Sequence, residues 1–286
     1  MGDVLFTSAI DGLLIGVIYG LAAMGLTLIF GVMDVINLAH GPLIALGMFG
    51  VYLLFTLMGL NPFVAVIIVA AIGLLLGVLI YFIAVSRVID APPLSSLLST
   101  FSVNMIIIGI GTAMLSTSSY NVDYSLGTLD LGFFRAPGSR IAASLVALLT
   151  TVLLYFFLYR TRPGKYIRAV ANNRISAELM GIPSTRILAL AFGIGVMLAT
   201  VAGGLIATIL PINILAGGSY ELKSFVIVVL GGLGNPLGAL LGGLILGLIE
   251  GLVPVFMKTT WVPVIEYVLF VLILLVRPQG ILGAKE

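Results

Sequence analysis

Apolar runs close in length to the thickness of a lipid bilayer follow one another along almost the whole chain. Nothing between them is long enough to fold alone in water. They occupy residues 11–32, 40–58, 62–86, 94–118, 141–159, 187–210, a short 222–234, 237–256 and 261–277. A membrane-crossing helix needs about 20 such residues, so the pattern predicts an all-α integral membrane protein, a polytopic helix bundle of about 8–10 spans. One transmembrane domain, 1–286, accounts for the chain. With 8% charged residues and a mean hydropathy of +1.28, an ordinary soluble domain, about a quarter charged, is excluded. The breaks fall at Asp34 to Gly41, Asn61-Pro62, Ala91-Pro92-Pro93, Tyr120 to Arg140, Pro211 to Gly218, Asn235-Pro236 and Lys258 to Trp261, where turn-forming residues cluster.

Two polar connections set the expected orientation. Residues 160–186 hold Arg160, Arg162, Lys165, Arg168, Arg174 and Arg186 against one acid, Glu178. Lys and Arg concentrate on the cytoplasmic side of membranes, so this segment is expected inside. The stretch 119–140, with Asp123, Asp130, Arg135, Arg140, Tyr120, Tyr124, Phe133 and Phe134, is then an external loop. Arg87 falls inside, and so do Arg277 and Lys285 if the short 222–234 run crosses. Met1 is then outside, and Met1-Gly2-Asp3 lacks the basic start of a cleaved leader.

Within the basic segment, Ala169 to Gly181 carries the pattern of one amphipathic helix. Ala169, Ala177, Met180 and Gly181 recur at helical spacing, Asn172, Asn173, Arg174 and Glu178 lie mainly opposite, and Pro183 stops the run. Such a helix either floats at the head groups or fits a groove on a cytoplasmic partner. A mere connector needs fewer residues, which favours docking.

Zero cysteines exclude disulfides, thiol catalysis and cysteine metal sites. His40 is the single histidine, so no metal site and no catalytic constellation is expected. It is either a helix-entry residue bonded to the backbone or a group that titrates or touches solute. No phosphate-cradling G-x-x-x-x-G-K-[ST] segment occurs, so any ATP is handled by another polypeptide. The small net charge of +2 gives no reason to expect nucleic acid.

Thirty-five glycines include the ladders Gly12, Gly16, Gly20; Gly234, Gly238, Gly242; and Gly243, Gly247, Gly251. Four-residue spacing puts each set on one helix face, where another helix can approach closely. Acids inside a membrane are costly and carry a functional expectation. Glu250 is the deepest and serves either as interface anchor or in the pathway; Glu266 lies in the last span and Asp11 near an end of the first. Ser102, Asn104 and Asn213 are placed to hydrogen-bond a polar solute, although an asparagine such as Asn104 also bonds neighbouring helices. The short 222–234 run, with Gly231 and Gly232, followed by Asn235-Pro236 suggests a broken helix. Interrupted helices free backbone groups near the bilayer midplane, and a half-helix N-terminus suits a carboxylate.

Three further segments carry a resemblance. The chain reads Gly20-Leu-Ala-Ala-Met-Gly-Leu-Thr-Leu-Ile-Phe-Gly31 and then Val35-Ile-Asn-Leu-Ala-His-Gly41, with Asn37 and His40 inside the second run. It continues with Val229-Leu-Gly-Gly-Leu-Gly-Asn-Pro-Leu-Gly-Ala-Leu-Leu-Gly-Gly243 and ends with Arg277-Pro-Gln-Gly-Ile-Leu-Gly283. Together with the basic segment these resemble the branched-chain amino acid permeases of ABC importers, the H-type more than the longer M-type. The resemblance implies a type II-like importer fold in a bacterial plasma (inner) membrane. It implies a second homologous permease as heterodimer partner, two cytoplasmic ATPases that hold ATP and Mg, and an extracytoplasmic solute-binding protein. In the coupling segment it points to Arg168, Ala171, Asn172, Arg174, Ala177, Glu178 and Gly181, though Ala169-Val-Ala171 replaces the acidic start of the broader permease signature. Alternatives are a permease for urea or short amides in the same superfamily, or a stand-alone secondary transporter. The latter needs paired midplane carboxylates and an internal repeat, and neither is evident.

Overall fold

The computed structural model describes residues 2–115, 117–130, 135–277 and 279–282. Phe133, Phe134, Gly283 and Lys285 therefore lie outside the described residues. Eleven α-helices follow in order: α1 (Gly2–Met33), α2 (His40–Met58), α3 (Pro62–Ile80), α4 (Pro93–Leu115), α5 (Gly138–Arg160), α6 (Arg162–Asn172), α7 (Arg174–Leu179), α8 (Ser184–Ile206), α9 (Gly217–Gly231), α10 (Pro236–Phe256) and α11 (Val262–Val276). A π-helical turn, Tyr81–Val85, extends α3, and a 3-10 turn, Ile214–Ala216, precedes α9. Among the described residues, 9 helical segments are long and apolar enough to cross a membrane.

The expected runs match these helices closely. The first is longer than its apolar stretch, because Gly2 to Ile10 is helical too. Asparagines set two starts: Asn61 accepts from Phe63 N, and Asn235 from Leu237 N and Gly238 N, each with proline in the first turn. Those side chains satisfy amides that the helix itself leaves unpaired. Gly59, at φ 64, closes α2 in a left-handed conformation that glycine adopts without strain.

Burial ranks the spans. The most apolar window of α8 is 89% buried and that of α1 72%, against 17% for α4 and 11% for α11. The bundle is built around α1 and α8, with α4 and α11 leaving most of their surface to lipid or to another protein. Two of the glycine ladders meet each other. A Cβ built on Gly247 falls closer than 3.0 Å to the backbone of Gly12 and Gly16, and one on Gly16 equally close to Gly243. α1 and α10 therefore touch backbone to backbone along three turns. The third expected ladder is not one helix face: Gly238 and Gly242 lie against Gly231 and Ile227 of α9, whereas Gly234, at φ 79, is in the turn before α10 and faces Gly31 of α1. Without a hydrophobic drive inside lipid, such close packing is what joins helices.

The connections gather at two ends. At one lie 59–61, 117–130, 135–137, 207–216 and 257–261. Here the short antiparallel strands β1 (Thr128–Asp130) and β2 (Arg135–Pro137) form a hairpin, and Tyr120 pairs with Ile212 in an isolated bridge. Asn61 Nδ2 donates to Tyr124 Oη at 2.7 Å, and Tyr120 packs its ring on Phe49 and Tyr52. Asp11, expected near water, pairs with Arg140 at 3.1 Å at this end. At the other end lie 34, 86–92, the basic segment, 232–235 and residues 279–282. Ile281 N donates to Leu230 O, Leu282 N to Gly231 O, and Asn235 Nδ2 to Leu282 O.

Candidate functional site

Two places in the bundle carry chemistry that packing alone does not require. The first is the basic segment. Instead of one helix over Ala169 to Gly181, it forms α6 and α7, because the chain turns extended at Asn173, at φ −160 and ψ 104, and the Asn173 side chain caps α7 through Ser176 N. An asparagine favours that local bond over the helix interior. The expected shared face is therefore split. Ile167, Val170 and Ala177 are buried against the bundle, whereas Met180 is 83% exposed, and Gly181, at φ 81, lies beyond the helix as its left-handed stop.

α7 is held from two sides and braced by one ion pair of its own. Arg174 Nη1 meets Asp90 Oδ1 at 2.7 Å, which ties the helix to the α3–α4 connection, and Arg174 Nε meets Glu178 Oε1 at 3.2 Å. Ser184 Oγ donates to the same Glu178 oxygen from the start of α8. The Ser184 hydroxyl first, and Arg174 second, hold the Glu178 carboxyl below its usual range. The anchor is thus present above the ordinary carboxylate pKa and is lost only as pH falls through the lowered one. Arg168 is exposed but folds back along α5: it donates to Leu158 O and covers the Tyr159 ring at 4.5 Å. Ala171 and Asn172 are exposed at the C-terminal end of α6. Apart from Ser176, what remains facing outward from α7 and its C-cap is apolar: Ile175 at 73%, Leu179 at 83% and Met180 at 83% exposure. Sequence reasoning passed over Ile175 and Leu179 because it looked for the apolar face turned toward the membrane.

The second place is the break between α1 and α2. Residues 34–39 leave the helical path and run back into the bundle. Asn104 Nδ2, midway along α4, donates to Leu38 O at 2.5 Å, and Thr100 Oγ1 donates to Ile36 O and accepts from Leu38 N. His40 thus begins α2 inside the bundle rather than at its end, with Gly41 against Gly217 at the start of α9. Glu221 of α9 accepts the Gly41 amide, an acid at a helix N-terminus where the dipole favours it. Asn37 and His40 are 0% exposed. The Asn37 Nδ2 and Asn104 Oδ1 are without hydrogen-bond partners among the described residues, and the His40 ring has only the Ala22 backbone within reach, in poor hydrogen-bond geometry. Buried polar atoms are seldom left so, and this junction is a polar point inside an apolar bundle. Glu221 was not foreseen, because the polar Gly217-Gly218-Ser-Tyr-Glu221 stretch reads as a loop before 222; the structure makes it the first two turns of α9.

Other expected sites fall elsewhere. Ser102 is exposed on the outer face of α4 and bonds back to Leu98 O. Asn213 braces the outer connections, donating to Thr117 O and capping Leu215 N. The short helix expected near 222–236 is α9, of 15 residues. Asn235-Pro236, however, is the junction starting α10 at the bundle end, not a midplane interruption, and Gly231 and Gly232 serve packing and the turn there. Glu250 pairs with Lys223 at 2.8 Å. Among the described residues there is no group of His, Asp or Glu that could hold a metal.

The sequence matches, over residues 8–276, the family described as branched-chain amino acid transport system / permease component. It is 30% identical to the high-affinity branched-chain amino acid transport system permease protein LivH of Salmonella typhimurium (strain LT2), over 96% of this chain and 94% of that protein. It is 33% identical to the corresponding permease BraD of Pseudomonas aeruginosa, over 97% of this chain and 95% of the relative. A likeness of 27% to the ribose import permease protein RbsC of Escherichia coli covers 60% of this chain. No solved structure matches. With nine apolar spans, a capped and apolar-tipped basic segment, and a match along nearly its whole length, the chain belongs to the permease-component family of branched-chain amino acid ABC transport systems.

Proposed function

We propose that this chain is the H-type half of the membrane channel of an ATP-driven importer, carrying branched-chain or other hydrophobic amino acids. Its partners in this reading are a second, M-type permease, two cytoplasmic ATPases that bind ATP and Mg, and an extracytoplasmic solute-binding protein that hands over the solute. The observation that carries it is α7: fixed to the bundle by Asp90 and Ser184, it exposes Ile175, Leu179 and Met180 to nothing in its own chain. An amphipathic helix whose anchors lie in a partner's groove has this form. Closure of the ATPases pushes on α7, and its short tether to α8, the most buried span, passes the movement into the bundle.

Reversing both charges, Arg174→Glu with Glu178→Arg, keeps the pair but sets a carboxylate against Asp90. Copurification of the ATPases is expected to fall sharply while membrane abundance stays near normal. Gly181→Pro cannot adopt the φ of 81 found there, and ATP-linked uptake in proteoliposomes is expected to vanish without loss of insertion. Uptake by the purified chain alone, without ATPases or ATP, rules the importer reading out.

A further inference from the structure

Lys223 of α9 lies in the bundle as one cation among two acids and two aromatic rings. Its Nζ donates to Glu250 Oε1 at 2.8 Å and to Tyr19 Oη at 3.4 Å, and stands 4.7 Å from the centre of the Tyr19 ring. Tyr220 adjoins Tyr19, with ring centroids 6.1 Å apart. Glu266 of α11, 2% exposed, is within electrostatic reach of Lys223, Glu250 and Tyr19. Its Oε1, like Oε2 of Glu250, has no hydrogen-bond partner among the described residues.

A lysine that only welds α9 to α10 needs one carboxylate. Here there are two, and the second is buried with an oxygen unused. With both acids ionised the cluster carries one negative charge too many, a costly state inside a membrane. The Lys223 and Glu250 side chains keep 18% and 29% exposure, so the cluster opens at the bundle surface. A charged opening onto hydrocarbon is unfavourable; one onto a water-filled path is not. Lys223, Glu250 and Glu266 lie within six residues of the ends of α9, α10 and α11 that join the connections 207–216 and 257–261, on the hairpin side. The cluster therefore lies in the half of the bundle nearer the β1–β2 hairpin.

We infer that this cluster binds the α-ammonium group of an amino acid, with Lys223 as its resident stand-in. A primary ammonium is the same chemical group as the lysine head, and a carboxylate beside an aromatic face recognises it. An arriving ammonium takes the Glu250 and Tyr19 positions and Lys223 shifts to the free Glu266 oxygen. Two ammonium groups then face the two acids, with the amino acid's own carboxylate directed out of the cluster. The inference rests on the proposed amino-acid substrate, and it adds a solute contact in the permease itself.

The test uses the complete transporter in nanodiscs without its solute-binding protein, with leucine as probe and its 2-oxo acid, which lacks the ammonium, as control. Lys223→Met removes the built-in competitor and is expected to tighten leucine binding about tenfold, the scale of one hydrogen bond to a charged group, with no gain for the oxo acid. Glu266→Gln, nearly unchanged in shape, is expected to cut leucine uptake by the full system about tenfold at normal abundance. Should Lys223→Met fail to accumulate, Glu266→Gln decides alone. Leucine binding and uptake unchanged in Glu266→Gln, or an equal gain for the oxo acid, overturns the ammonium site. Absence of ATP-driven leucine uptake by the wild-type complex instead overturns the proposed substrate, so the two failures are distinguishable.

Discussion

Leu179→Asp is expected to abolish ATP-driven uptake while the permease stays inserted, abundant and folded. Leu179 is 83% exposed at the tip of α7, so a carboxylate there keeps its water in the isolated chain and costs the fold almost nothing. In the transporter the same position is expected to be dry. An apolar anchor at the centre of an interface is typically worth about 2–4 kcal/mol, and about 3 kcal/mol is more than a hundredfold in affinity. The substitution also drives an unpaired charge into a desolvated groove, which adds to the loss. Copurification of the ATPases and uptake in proteoliposomes should fall together. Uptake near the wild-type level with ATPases still bound means that α7 is not the handle.

Gly247→Val is expected to empty the membrane of folded permease. The side chain has nowhere to go: already its Cβ lies closer than 3.0 Å to backbone atoms of Gly12 and Gly16, which no rotamer change can relieve. Overpacking a close contact costs about 1–3 kcal/mol when side chains can shift, and more when backbones must part. Separating α1 from α10 also pulls on the ladder above and below, Gly16 with Gly243 and Gly12 with Gly251. A domain has only about 5–15 kcal/mol in hand. Gly109→Val is the control, since a Cβ there meets nothing within 4 Å. If Gly247→Val accumulates and transports as well as Gly109→Val, the two ladders do not hold the helices together.

The span pattern was legible because hydrocarbon imposes length and apolarity on every crossing helix, and nearly every boundary lies at an asparagine, proline or glycine. The glycine ladders announced close packing, but periodicity does not name the partner; that Gly12, Gly16 and Gly20 meet Gly243 and Gly247 depends on the folded arrangement. The docking segment was legible by charge and length. Its break was not, because Asn173 caps a helix only when the chain turns there, and the helical pattern on either side reads straight through. The buried junction was half legible. Asn37, His40 and Asn104 stood out as polar residues near spans, but His40 was expected at a span end. Only the return of residues 34–39 into the bundle buries it there, with its neighbour Gly41 beside Gly217 and Glu221. Lys223 was overlooked for a related reason: apolar neighbours on one side and a polar Gly-Ser-Tyr stretch on the other placed it at a supposed span end. Glu266 was recognised as an acid, but its position beside the Lys223–Glu250 pair is a matter of helix packing alone.

Everything proposed for α7 requires the basic segment to face the cytoplasm, where an ATPase can grip it, and the chain's lack of cysteine makes that directly measurable. Met180→Cys at the tip of α7 and Asn121→Cys in the opposite connection are each offered a membrane-impermeant maleimide. Asn121→Cys is expected to react in intact cells, and Met180→Cys only once the membrane is opened. Labelling of Met180→Cys in intact cells puts α7 outside and overturns the importer topology.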